Sequence, residues 1–166
     1  MSTSIRQLVL ADTSSIEAHL LRLSPADRSL RFTAGVVTDE SIRRYVAGIR
    51  FGSDAVIGAV DAAGDVVALA HGGIYSVGLD RRVEVAFSVD ADRRGGGLGK
   101  ALLEAARRFA AMIGAQSVVA ICMARNLPMR RVFAGAGMTM RRDDDEVYAS
   151  CAPMPRVVDA LSQARP

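Results

Sequence analysis

Tryptophan is absent from these 166 residues, and aromatic residues of any kind make up only 5%. Nucleic-acid binders usually cluster basic residues and interleave them with aromatics; here the arginines are spread along the whole chain, and Lys100 is the single lysine. The net charge of +3 and the pI near 9.3 therefore read as a preference for arginine over lysine. Two cysteines, Cys122 and Cys151, and two histidines, His19 and His71, offer no CxxC or HxxxH spacing. That argues against a zinc site, and nothing suggests an oxidising compartment. No apolar run reaches the ~18–20 residues a membrane span needs. Met1 to Gln7 is polar, so no secretory leader is expected. The expectation is a cytoplasmic protein with no metal, no nucleic-acid partner and no membrane partner.

What is present is apolar material. Half the residues are hydrophobic and the mean hydropathy is +0.20, enough to bury a sizeable core and to exclude disorder as a description of the whole chain. The length suits one domain, expected over residues 1–152, followed by a tail over 153–166. Ile5 to Leu10 reads as a strand. A helix capped by Asp12 or Thr13 follows, with Ile16, Leu20 and Leu23 on one face. Ser24-Pro25 opens another turn, with proline suited to the first helical position. Thr38 opens a third helix through Ile42, Tyr45, Val46 and Ile49.

Strands are then expected over Asp54 to Asp61 and Asp65 to Tyr75, joined through Ala62-Ala63-Gly64. In Arg82 to Val89, Val83, Val85, Phe87 and Val89 alternate with Glu84, Ala86 and Ser88, which sends the two sets to opposite faces. Leu98, Leu102, Ala105, Phe109 and Ile113 mark a helix ended by Gly114. Ser117 to Cys122 is a nearly all-apolar strand, as expected with both faces covered. A short helix after Asn126, a hairpin around Asp143-Asp144-Asp145 and a short tail helix over Val157 to Gln163 complete the pattern.

The stretch from Glu84 to Ile113 carries the chemistry: strand, glycine-rich turn, helix. A helix N-terminus offers free N–H groups and a positive dipole end to phosphates, and glycines let the backbone approach an anion closely. Two common phosphate motifs fail. Gly95 to Lys100 is one residue short of GxxxxGK and is followed by Ala101, and Gly95, Gly97 and Gly99 do not make GxGxxG.

What fits is (Gln/Arg)-x-x-Gly-x-(Gly/Ala), realised as Arg94-Gly95-Gly96-Gly97-Leu98-Gly99. Glu84 stands ten positions before Arg94. After one helix and one strand come Asn126-Leu127-Pro128-Met129, Phe133 and Gly137-Met138. In these features the sequence resembles the GNAT superfamily of N-acetyltransferases. The run of Leu23-Ser24 to Arg31-Phe32, with Glu84 and Met129, is similar to bacterial protein-lysine acetyltransferases.

The resemblance implies an α/β (α+β) fold with a mixed, mostly antiparallel central sheet flanked by helices. It implies acetyl-CoA as acyl donor. Phe87, Ser88 and Val89 would pair with the pantetheine arm. Arg94, Gly95, Gly96, Gly97, Leu98, Gly99 and Lys100 would bind the pyrophosphate, and Asn126 would contact the cofactor arm. A backbone N–H near Ser88 could polarise the thioester carbonyl. Glu84 is the candidate general base for an amine that is mostly protonated near neutral pH. Its α-carbon should stand ~13 Å from that of Ser88 at about 3.3 Å per residue, which favours relay through water. The tyrosine that many members place seven residues after the asparagine is Phe133 here. It reads as core packing and leaves the general acid unassigned.

The resemblance implies a primary amine as acceptor, on a small molecule (a polyamine among them) or a protein lysine, and family members are often homodimers. The acidic run Asp143 to Glu146 reads as a solvated turn, or as a means of raising the local concentration of a cationic acceptor. Two rivals stand beside this function: a non-catalytic acyl-CoA-binding regulatory domain of the same fold, and a basic nucleic-acid-binding domain.

Overall fold

A computed structural model describes residues 3–155; the expected tail helix over Val157 to Gln163 lies outside them. The chain order is β1 (Ser4–Gln7), α1 (Thr13–Arg22), α2 (Pro25–Phe32), α3 (Asp39–Ala47), β2 (Ala55–Val60), β3 (Val66–Gly72), β4 (Ile74–Val77), β5 (Asp80–Glu84), β6 (Ala86–Val89), α4 (Leu98–Met112), β7 (Ser117–Met123), α5 (Leu127–Gly135), β8 (Thr139–Asp143) and β9 (Glu146–Cys151). The strands form two sheets, β1-β2-β3-β6 and β4-β5-β7-β9-β8, in which only β5 and β7 run parallel. The mixed, mostly antiparallel α+β architecture is the one expected.

The helix starts follow local chemistry. Ser24 caps α2 by accepting from the Asp27 N–H, with Pro25 in the first turn. Thr38 caps α3 by accepting from Ser41. Asp12 stands at the N-cap of α1, but its carboxylate serves Arg6 and the Val9 N–H instead. The first strand is shorter than expected because Leu10 to Asp12 close into a 3-10 turn.

The two halves of the sheet pairing form one long hairpin. The register is continuous from Ala68 opposite Val89 to Val77 opposite Asp80. Gly78 takes φ +61 at the first of the two central turn positions, the place a II′ turn reserves for glycine. The hairpin bends from one sheet into the other at Gly72 and Val85. An ideal Cβ on Gly72 would stand 1.6 Å from the carbonyl oxygen of Glu84. The expected single strand over Arg82 to Val89 is therefore broken at Val85, although its alternation survives the break.

That alternation separates two cores. Val83 and Val85 pack with Leu102, Phe109 and Phe133 on the α4–α5 side. Ile16, Leu20, Ile42 and Val46 pack against Val56 and Leu69 on the α1–α3 side. Phe133 is fully buried, as its reading as core packing requires. Cys122 is also buried, and both cysteines are free thiols. No helix among the described residues is long and apolar enough to cross a membrane, and no cluster of potential metal ligands occurs among them.

The Gly72 contact generates a stability prediction. Gly72→Ala forces a methyl into the backbone of the facing strand, and overpacking of this kind costs about 3 kcal/mol. Urea unfolding should show a loss of that order. A variant within experimental error of the parent would mean that the two strands approach less closely than this.

Candidate active site

The site originates where β6 leaves β7. Arg82, Val83 and Glu84 register beside Ser117, Val118 and Val119. The Val85 N–H still donates to the Val119 carbonyl at 2.9 Å. Beyond it β7 pairs with β9, while β6 pairs only with β3. Residues along an antiparallel strand point their backbone polar groups alternately to either side. Glu84 and Asp90 direct their N–H groups to Gly73 and Val67, and Val85 directs its own to β7. The same alternation sends the N–H and C=O of Phe87 and Val89 into the gap that β7 vacates. The Val89 carbonyl accepts there from Arg94.

A cleft of about 510 Å³ opens along this edge. Phe87, Ser88, Val89, Arg94, Gly95, Gly97, Leu98, Gly99, Lys100 and Asn126 all line it. Of the residues expected at the site, Gly96 and Glu84 do not. The loop turns through Gly95 at φ +80 and Gly97 at φ +82, a region that L side chains rarely adopt. Gly97 caps α4 without a side-chain bond, and the first intrahelical bond runs from Ala101 to Gly97. The N–H groups of Leu98, Gly99 and Lys100 are left for an anion. Gly99 has a second duty, because its Cβ would stand 3.2 Å from Val132 on α5. Asn126 caps α5 by accepting from the Met129 N–H.

Glu84 is exposed on the face of the strand that also carries Ala86 and Ser88. It forms no ion pair among the described residues. Arg82 pairs with Asp80, and Arg81 donates to the Ile113 carbonyl.

Ser88 is more elaborately held than the motif suggests. Its Oγ lies 2.8 Å from His19 Nε2, and His19 Nδ1 lies 2.7 Å from an Asp90 oxygen. Arg22 pairs with the other Asp90 oxygen at 2.7 Å. Burial alone would raise the Asp90 carboxyl, but the bonds from His19 and Arg22 outweigh it and hold it below the ordinary carboxylate range. With Asp90 ionised, its carboxylate accepts from His19 Nδ1, and Nε2 shares the second bond with the Ser88 hydroxyl.

A second polar chain enters the cleft from α2. Arg31 lines the cleft and donates to Tyr45 Oη at 2.7 Å. Tyr45 Oη bonds His71 Nδ1, and His71 Nε2 lies 3.4 Å from Asp54. Burial, reinforced by the Arg31 charge, lowers the His71 pKa against the pull of Asp54 and keeps the ring neutral near pH 7. Neither chain was visible in the motif. His19 falls on the Ile16–Leu20 face of α1 and Arg31 next to Phe32, positions that a sequence pattern assigns to packing. The acidic run forms a tight β8–β9 turn with Asp144 at φ +50, and the Asp145 carbonyl accepts from the Ala124 N–H just before Asn126.

The family model for the acetyltransferase (GNAT) domain matches residues 4–139. No curated protein matches the sequence. Among solved structures, the GNAT domain of S. lividans PAT is 22% identical, with a TM-score of 0.77 over 90% of each chain. Spermidine N-acetyltransferase from Vibrio cholerae, solved with CoA and spermine, is 12% identical, with a TM-score of 0.69 over 91% of this chain and 95% of that one. YncA from Salmonella typhimurium, solved with acetyl-CoA, is 18% identical, with a TM-score of 0.70 over 95% of this chain and 97% of that one. At these identities the likeness is one of fold.

Two outcomes test the geometry. Gly97→Asp places a carboxylate where α4 presents its free N–H groups, in open space but at a strained φ. Acetyl-CoA binding measured by calorimetry should be lost while circular dichroism stays native; unchanged affinity would remove the loop from the site. Asp90 contributes stability above the ordinary carboxylate pKa of ~4, and that contribution is lost as pH falls through its depressed folded value. Asp90→Asn should therefore be less stable than the parent at pH 7, and the difference should shrink below about pH 4. A gap that stays constant with pH would mean the charge is not what matters.

Proposed function

The chain belongs to the GNAT acetyltransferase family, and from that premise we propose that it transfers the acetyl group of acetyl-CoA to a primary amine by direct attack, with Glu84 as general base. The observation that carries this reading is the parting of β6 from β7 beside the glycine loop. The backbone edge of Phe87 and Val89 suits the amide-bearing pantetheine arm, and the α4 N-terminus with Lys100 and Arg94 suits the pyrophosphate. The residues present fit the donor.

In the proposed reaction the free amine nitrogen attacks the thioester carbon. The carbonyl oxygen takes up negative charge beside a backbone N–H of the β6 edge, that of Phe87 or Val89. The Ser88 N–H points to β3, so the neighbouring residues are the better donors. The C–S bond then breaks and CoA leaves as thiolate. The ammonium gives one proton to Glu84 through water before the attack, and the second proton shed by the attacking nitrogen passes to solvent as the amide forms. Glu84 is exposed and forms no ion pair among the described residues, so its carboxylate is available for that exchange.

The acceptor is proposed to be an amine-bearing small molecule or a protein lysine. The V. cholerae neighbour is a spermidine acetyltransferase, which supports an amine acceptor by analogy alone. A cytoplasmic homodimer is the proposed setting.

Free-thiol release across a panel of amines and lysine peptides identifies a competent acceptor. With it, Glu84→Gln should lower the rate ~10²-fold at neutral pH and leave acetyl-CoA affinity nearly unchanged. The deficit should narrow at high pH, where more amine is already free. Equal rates for the two proteins would reduce Glu84 to a surface carboxylate.

A further inference from the structure

Asp27 and Arg31 are one helical turn apart on α2, and both line the cleft. They mark its two ends. Asp27 meets Arg94 at 2.9 Å, next to the loop that opens α4. Arg31 stands ~6 Å further along the helix axis and belongs to the chain through Tyr45 to His71. His71 is registered opposite Ala86, the first residue of β6, whereas Arg94 bonds the carbonyl of Val89, the last. Arg31 therefore serves the end of the cleft away from the phosphate loop, on the side of Glu84.

Its environment there is incomplete. Arg31 is 8% exposed. Among the described residues no carboxylate pairs with it, and its Nε has no hydrogen-bond partner. Its guanidinium rests 5.0 Å from the Phe32 ring centroid and 5.5 Å from that of Tyr45. These faces favour a cation but satisfy none of its N–H donors. The one carboxylate on its hydrogen-bond chain, Asp54, is separated from it by Tyr45 and by a neutral His71. A buried charge without a counter-ion is costly, and the planar five-donor fork of arginine matches a carboxylate in particular.

We infer that Arg31 is the recognition residue for a carboxylate that one of the two substrates brings to the reaction end of the cleft. The source is the acceptor, as an amine that also carries a carboxylate, or the donor, as a dicarboxylic acyl group such as succinyl. The assignment rests on the acyl-transfer reading above and names the substrate class of that same site.

Two arms separate the sources. Calorimetry compares acetyl-CoA with succinyl-CoA, and free-thiol release compares amino acids with their amides as acceptors. In one arm the parent protein should favour the carboxylate-bearing partner about tenfold or more. Arg31→Met should abolish that preference, and Arg31→Lys should retain part of it. A parent protein that treats both pairs alike overturns the assignment, whatever the variants do. So does a preference that survives in a folded Arg31→Met. Acetyl-CoA binding without any carboxylate preference sinks Arg31 alone. Absence of binding to either acyl-CoA sinks the acyl-transfer reading and this assignment with it.

Discussion

The strand pair that stops pairing is the constraint on which the rest of the molecule depends. β5 and β7 are neighbours as far as Glu84 and Val119, and one further bond, from Val85 to Val119, closes the contact. Past that point the sheet is torn along one line. A buried strand edge is unfavourable unless something pairs with it. The edge of Phe87 and Val89 therefore presents preformed, directional backbone donors and acceptors to the cleft, independent of side-chain identity. Gly72 makes the tear possible from the other side, because only a residue without Cβ lets β3 bend so close to Glu84. The glycine loop then starts α4 at the far end of the same edge.

A torn sheet needs support, and the α1–α3 face supplies it through polar groups. Ser88, in the middle of β6, is tied to His19 on α1, and Asp90 just beyond β6 holds both His19 and Arg22. One short strand is thus anchored at two points to the helix beneath it. His19 is fully buried yet fully hydrogen-bonded, the condition under which a buried polar network rigidifies rather than destabilises. The Arg31–Tyr45–His71–Asp54 chain resembles it in composition but differs at its inner end, where the guanidinium retains an unused donor. One network satisfies its buried donors, and the other leaves the buried Nε of Arg31 without a partner among the described residues.

What was legible in the sequence divides along the same line. The glycine loop, the helix behind it and the alternation of Val83 to Val89 were readable because backbone geometry demands particular residues at particular spacings: positive φ at Gly95 and Gly97, and period two in a strand. The break at Val85 was not readable. No proline or glycine marks it within the strand, and its cause lies in Gly72 on the partner strand. His19 and Asp90 are 71 residues apart, and no local pattern announces such a pairing. Arg31 and Tyr45 were visible as helix residues, but their meeting depends on how α2 and α3 pack. The glycine-loop end of the cleft is written in local backbone signals, and the Arg31 end in tertiary contacts between side chains.

The fate of the leaving thiolate follows from the same division. Phe133 lies in the α4–α5 core, with no exposed surface and no proton to give. The three tyrosines are each committed or remote. Tyr45 is bound between Arg31 and His71. Tyr75 lies on the exposed arm of the β4–β5 hairpin. Tyr148 donates to Glu146, whose bond raises its pKa. In the proposed reaction the cleft bordered by Arg94 and Lys100 releases CoA as the thiolate, to be protonated by water. A thiolate is a far better leaving group than an alkoxide, so a site that stabilises the oxyanion by backbone donors and removes the amine proton meets the larger part of the barrier. Replacing the family's tyrosine by a buried phenylalanine is then compatible with the proposed reaction, in which no side chain has to protonate the leaving group.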